Sequence, residues 1–273
     1  MKNTYLYIIV ILVALSSCTK VIELDLNEEE NKKIVVDAIF STYPQEHEIK
    51  LSMSANYYSA DAPQQVTGAT VSISDGVNTF PFTETAPGIY KSAPNAQATF
   101  ETNHYLTINY NGQTYTATNY CDTVPAVDTV ILEPNYVEGS TTEIKDYTIR
   151  FSTQELPGFG DNYAWKIYVN GVLRNDTIAE QISQNDEYWP DGTYFYQVAL
   201  TNIDNVQSGD TITLAQHAIS KETYDAFYAI LYQTQYKGGI FDAPPANIPT
   251  NLSEGAIGMF SVSGETRNYA IVP

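Results

Sequence analysis

Apolar and polar residues alternate with a period of two through most of this chain, a pattern that paired strands satisfy and helices do not. Lys33-Ile34-Val35-Val36-Asp37-Ala38-Ile39-Phe40, Glu48-Ile49-Lys50-Leu51-Ser52-Met53 and Thr70-Val71-Ser72-Ile73-Ser74 are β-branched or alternating runs separated by turn-rich segments. Asp75-Gly76-Val77-Asn78 turns the chain into Thr79-Phe80-Pro81-Phe82-Thr83, where Pro81 lacks a backbone donor and predicts an edge strand. The clearest hairpin signal is Asn111-Gly112, because Asn-Gly supplies the positive φ angles of a type I′ turn. Short strands at this spacing predict an antiparallel sandwich over residues 34–122.

The segment Asp122 to Asp128 contains Val124-Pro125-Ala126-Val127, a stiff stretch without regular pattern that reads as a boundary. A second β lobe is expected over 128–273. Its candidate strands are Thr129 to Leu132, Asp146 to Ser152, Tyr163 to Val169, Thr193 to Leu200 and Asp210 to Gln216, with Asn170-Gly171 as another hairpin signal. One helix is expected over 220–237: Ser220 caps its first amides, Glu222 sits in the first turn, and Gly238-Gly239 ends it. Tyr224, Phe227, Tyr228, Leu231 and Tyr232 recur at three- and four-residue spacing, an aromatic face expected to pack on the second sheet. Past a proline-rich loop, Gly255 to Gly264 reads as a buried strand with close backbone approaches at its glycines, and Arg267 to Val272 as the last strand. The fold class is mainly β: two antiparallel β-sandwich lobes with one helix near the C-terminus of the second.

The N-terminus sets a different constraint. Lys2 and an apolar run from Tyr5 to Leu15, too short to span a bilayer, precede Leu15-Ser16-Ser17-Cys18. These four residues resemble the bacterial lipobox, in which the cysteine sulfur is acylated and its amine becomes the mature N-terminus. Residues 1–17 are thus read as a lipoprotein signal peptide and Cys18 as the lipid attachment site, carrying palmitate. Residues 18–33 form an acidic, flexible lead that includes Glu28, Glu29 and Glu30. Acidic residues soon after the lipidated cysteine resemble the signal that sends Bacteroidota lipoproteins to the outer face of the outer membrane.

Charge narrows the partners further. The 13 basic and 32 acidic residues give a net charge of −19, which becomes −20 when Lys2 leaves with the signal. Nucleic acid is excluded, because phosphate backbones are held by clustered Lys and Arg. With Cys18 lipidated, Cys121 has no disulfide partner, and its strand-like surroundings mark it as a small core residue.

Several segments together carry a family resemblance. Cys18 with its acidic lead, Val66-Thr67-Gly68-Ala69-Thr70-Val71-Ser72-Ile73-Ser74-Asp75 and Thr85-Ala86-Pro87-Gly88-Ile89-Tyr90 resemble the domain-of-unknown-function family 4249 lipoproteins of Bacteroidota. So does the stretch from Gly238-Gly239-Ile240-Phe241-Asp242-Ala243-Pro244-Pro245 to Gly255-Ala256-Ile257-Gly258-Met259-Phe260. The resemblance spans the mature chain. It implies a first lobe similar to transthyretin-like or immunoglobulin-like sandwiches, no catalytic residues, and a gene often placed beside a TonB-dependent outer-membrane transporter.

Individual side chains add modest signals. His47, His104 and His217 are far apart and lack metal-ligand spacing, and there is no Gly-x-Ser-x-Gly elbow. Most carboxylates fall in loops or on alternating strand positions and read as solvated surface. Gln184-Asn185-Asp186-Glu187-Tyr188-Trp189-Pro190-Asp191-Gly192 combines aromatics with oxygen ligands, which suits a sugar, a peptide or calcium. Asp186, Glu187, Tyr188, Trp189 and Asp191 are its candidate binding residues, and Tyr57-Tyr58 is a second aromatic pair. The expectation is a non-enzymatic, surface-exposed outer-membrane lipoprotein that binds a partner or nutrient as an accessory to a TonB-dependent transporter; a structural or adhesive envelope role is the alternative.

Overall fold

A computed structural model of the chain describes residues 32–55, 61–175, 182–186, 191–235 and 247–273. The signal segment, Cys18 and most of the acidic lead lie outside these, as do Tyr57, Tyr58, Glu187, Tyr188 and Trp189. The described chain is mainly β, with one helix near its C-terminus, a large mixed sheet and a smaller three-stranded one.

Strict alternation builds the first half. In β1 (Ile34–Ser41), Ile34, Val36, Ala38 and Phe40 turn inward, joined by Ile49 and Leu51 of β2 (Glu48–Met53) and by Val71 and Ile73 of β3 (Thr70–Ser74). Leu106 and Ile108 of β6 (Thr102–Tyr110) and Tyr115, Ala117 and Cys121 of β7 (Gln113–Cys121) complete the set. Asn111 and Gly112 take φ of 50° and 77°, so the β6–β7 hairpin closes on the two-residue turn that Asn-Gly favours. Pro81 is not on a simple edge. Its strand β4 (Thr79–Ala86) pairs with β3 through residues 79–82 and with β5 (Ile89–Lys91) through 83–86, so each half keeps one open flank and the missing donor is tolerated.

A second core lies between the three-stranded sheet and part of the large one. The small sheet has the order β13 (Tyr194–Ile203), β9 (Ile144–Gln154), β8 (Val127–Tyr136). Ile149 and Phe151 from it meet Trp165 and Ile167 of β10 (Asn162–Val169) and Ile212 and Leu214 of β14 (Thr211–Ala218). Asn170-Gly171 turns β10 into the short β11 (Val172–Leu173), again with both φ positive. β12 (Ile182–Asn185) covers the other end of β10.

The two halves share a strand. Residues expected to form two strands form one, β15 (Ala256–Ile271), 16 residues long. Its first half, Ala256 to Ser263, runs parallel to β1, and its second, Gly264 to Ile271, antiparallel to β14. The all-antiparallel expectation therefore fails at β1, because parallel partners need a long crossover and leave no local turn signal. Ala256, Phe260 and Val262 enter the first core, and Val272 just past the strand enters the second. Gly258 lets β15 approach β1: at φ +103° its Cβ would stand 2.1 Å from the Val36 carbonyl oxygen.

At the partner change, Ser263 to Glu265, lies a buried polar knot. The Ser41 hydroxyl donates to Glu265 Oε2 at 2.5 Å and Arg267 Nε to Oε1 at 2.5 Å. His217 Nδ1 lies 3.0 Å from the Ser263 hydroxyl. The Arg267 guanidinium also lies over Tyr43 and Tyr168, 3.7 and 4.8 Å from the ring centroids. Burial pushes the Glu265 carboxyl up, but His217, Arg267 and the Ser41 hydroxyl outweigh it and hold the group below the usual range.

The helix α1 (Lys221–Gln235) follows β14. Ser220 caps it, its hydroxyl accepting from the Thr223 amide at 3.3 Å and from Asn119 Nδ2 at 2.9 Å. Its aromatic face is not the buried one. Thr223 and Ala226 are buried, while Tyr224, Tyr228 and Tyr232 stack in sequence at 5.4 and 5.2 Å with Tyr228 and Tyr232 exposed. Small residues let the helix lie close to its neighbours, and the larger rings are left outward.

Two predictions follow from this packing. Gly258→Ala forces a clash with backbone in a φ region that side chains disfavour, so it should lower the urea unfolding free energy by about 3 kcal/mol or more. All three histidines are buried with depressed pKa values, burial being the first cause in each, and His217 falls to about 3. The unfolded chain then binds protons below about pH 6.5 that the folded chain refuses. Stability is fully present above pH 6.5 and should fall as pH drops, by up to about 1.4 kcal/mol per pH unit for each histidine. His217→Gln should flatten this slope in urea unfolding between pH 7.5 and 5.

Candidate functional site

The chemically unusual place is where three strands end at one edge. Glu155 directly follows β9, Asp161 directly precedes β10, and Asp186 directly follows β12. Pairing of Asn162 with Asn185 sets Asp161 and Asp186 side by side, and the Asp186 amide donates to the Asp161 carbonyl at 3.1 Å. Glu155 comes from the smaller sheet, where its amide donates to the Thr193 carbonyl at 3.0 Å. One ligand oxygen from each of the three carboxylates lies within 4.8 Å of the others.

The loop between Glu155 and Asp161, Leu156-Pro157-Gly158-Phe159-Gly160, supplies amide donors. The Gly160 amide donates to both Asp186 oxygens at 3.0 and 2.9 Å, and the Gly158 amide to Asp191 Oδ1 at 2.7 Å. The Gly192 amide donates to Glu155 Oε2. Gly158 and Gly160 sit at φ +118° and +119°, a conformation that lets a short loop aim its amides at facing carboxylates. Loop 156–160 is thereby fastened to Asp186 and Asp191, and Phe159, 74% exposed, projects from between its two glycines.

Beneath the carboxylates lies a cavity of about 90 Å³ between the sheets, lined by Phe151, Tyr163, Trp165, Phe195 and Val198, with Gln216 at its polar wall. Gln216 receives the Trp165 indole N–H at 3.0 Å and donates to the Pro125 carbonyl at 3.0 Å, so its amide is committed to structure.

The electrostatics of the cluster are uncompensated. Glu155 and Asp186 are 3% and 2% exposed, and among the described residues no Lys, Arg or His pairs with any of the three acids. At an effective dielectric of about 20, unit charges 4.8 Å apart repel by about 3.5 kcal/mol, so three such pairs cost roughly 10 kcal/mol. That equals the whole stability of many domains. Burial, then the neighbouring carboxylates, push Asp161 up to about 6 and Glu155 above its usual range.

Of the residues expected at this site, the structure places Asp186 inside the cluster and Asp191 in the loop clasp. Glu187, Tyr188, Trp189, Tyr57 and Tyr58 lie outside the described residues. Reading the remaining acids as solvated surface is corrected for Glu155 and Asp161, which flank the Pro-Gly-Phe-Gly turn and are drawn under it. A carboxylate at each end of a glycine loop was the signal available. Cys121 is buried and its thiol is pushed up to about 12 by burial and Asp122, so it is inert core.

No curated protein matches the sequence. Among solved structures, a chain described as a cytokine receptor complex, crystal form 1A, aligns over 70% of this chain and 86% of its own at 10% identity and a TM-score of 0.22, a likeness that bears on neither fold nor function. The profile described as "Domain of unknown function (DUF4249)" matches residues 19–268, and the chain belongs to that family.

Proposed function

We propose that this protein is a non-enzymatic binding module, lipid-anchored at Cys18 in the outer membrane of a member of the Bacteroidota and facing the cell exterior as an accessory to a TonB-dependent transporter. The observation that carries the binding reading is the clasped-loop platform, in which Asp186 and Asp191 fix a glycine loop that presents Phe159 to solvent. An exposed aromatic on a fastened loop loses little entropy when it meets a partner. The cavity supports the same reading by its size: about 90 Å³ is well below the roughly 300 Å³ that a small-molecule pocket offers, so recognition belongs to the surface above it. The described residues contain no helix long and apolar enough to cross a membrane, and the anchor is assigned to lipid on the strength of Leu15-Ser16-Ser17-Cys18. A lipid anchor would hold the protein beside membrane partners, which keeps a weak interface at high effective concentration.

Cys18→Ala should abolish incorporation of labelled palmitate and move the protein out of the detergent-rich phase; labelling that persists in this variant refutes the anchor. In mild-detergent extracts the intact protein should co-purify a TonB-dependent transporter. Replacing Phe159, or Tyr188 and Trp189 together, with Ala should weaken that association at least about tenfold, and the Phe159 variant should shift Tm by no more than about 2 °C, since that side chain is 74% exposed. Undiminished co-purification would remove the platform from the interface.

A further inference from the structure

The cluster poses a question that the binding role does not answer. Glu155 Oε1 is buried with no hydrogen-bond donor, although Oε2 of the same carboxylate accepts from Gly192. The Tyr163 hydroxyl, from a residue 8% exposed, is buried beside Asp161 and Glu155 and also lacks a hydrogen-bond partner. Tyr163 belongs to the core rather than to the acids, so its orphaned oxygen is a separate sign that something is held at this point. A water would satisfy a hydrogen bond yet cancel no charge. One proton neutralises one carboxylate of three.

We propose that Glu155, Asp161 and Asp186 bind a calcium ion, whose charge offsets the three carboxylates and ties both ends of loop 156–160 to the end of β12 at Asp186. The donor set is all oxygen, which selects a hard cation over zinc or copper. Oxygens around one calcium at about 2.3–2.6 Å lie at most about 5 Å apart, so separations of no more than 4.8 Å bring all three carboxylates within reach of one ion. The ligands come from three separate strand ends on irregular loops, a geometry that suits the variable coordination of calcium better than the near-ideal octahedron of magnesium. Asp186 already accepts from Gly160, but each of its oxygens retains a lone pair for the metal. This inference deepens the platform reading and does not depend on the anchor.

The test uses the full chain in detergent, stripped with a chelator and titrated with calcium chloride. One site with a Kd on the order of 10⁻⁵ to 10⁻³ M is expected, together with a rise in Tm of several degrees at saturating calcium. Terbium should bind in the same place and luminesce on excitation of the nearby Tyr163 and Trp165, and calcium should displace it. Glu155→Gln and Asp161→Asn should weaken calcium binding at least about tenfold. Their Tm in chelator should equal or exceed that of the parent, because each removes a repelling charge. A parent protein with neither binding heat nor a Tm shift in millimolar calcium overturns the proposal, and this arm needs no variant to fold. So does tighter binding of magnesium, or a terbium signal that survives both substitutions. If calcium binds but transporter association does not change, the metal site stands and only its link to the platform is lost.

Discussion

The exchange of partners by β15 at Ser263 and Gly264 is the constraint on which the rest of the structure depends. A strand can leave one neighbour and take another only if the backbone groups at the crossing are satisfied, and here side chains do it. The Glu265 amide donates to the Thr42 hydroxyl, and its carboxylate is held by Ser41 and Arg267. Removing one member of such a buried set leaves a charge without its partner, at a cost of about 3–5 kcal/mol. Packing adds to this, since a Cβ on Gly264 would come within 2.5 Å of the Asp122 carbonyl oxygen. The segment between the two halves is thus clamped along β15 rather than free: Thr266 and Asn268 donate to the carbonyls of Pro125, Val127 and Asp128.

The carboxylate cluster inherits its geometry from that crossing. β15 positions β14, β14 positions β10, and β10 carries Asp161 at its first end with β12 and Asp186 alongside. Glu155 arrives from the other sheet, so the distance between acids is set by how the two sheets meet over Phe151 and Trp165, whose rings lie 5.6 Å apart. A rigid core thereby holds like charges together that loops alone would let drift apart.

What the sequence disclosed and what it hid divide along one physical line. The turns at Asn111-Gly112 and Asn170-Gly171 and the cap at Ser220 are local events, and their residues announce them. The parallel pairing of β1 with β15 joins residues over two hundred positions apart, and alternation along a strand says nothing about which strand lies beside it. The helix was legible in existence and start but not in orientation. Its aromatic spacing was real, yet Thr223 and Ala226 set the close approach. Glu155 and Asp161 looked like surface acids because a carboxylate in a loop carries no mark of burial until another element covers it. Asp186 was suggested by its neighbours Tyr188 and Trp189, which is a different reason from the one that places it.

The first core closes on Ala256, Phe260 and Val262, which follow β1 by more than two hundred residues. A polypeptide emerging from its N-terminus therefore carries β1 with one hydrogen-bonding edge open until residues 256–263 have appeared. Through that interval the edge is a template for any extended segment, and folding here is a race between the chain's own β15 and a stranger's strand. The same arrangement makes the halves inheritable only as a pair. A gene fragment ending near residue 122 encodes a sheet whose missing strand, residues 256–263, is written well downstream of the break.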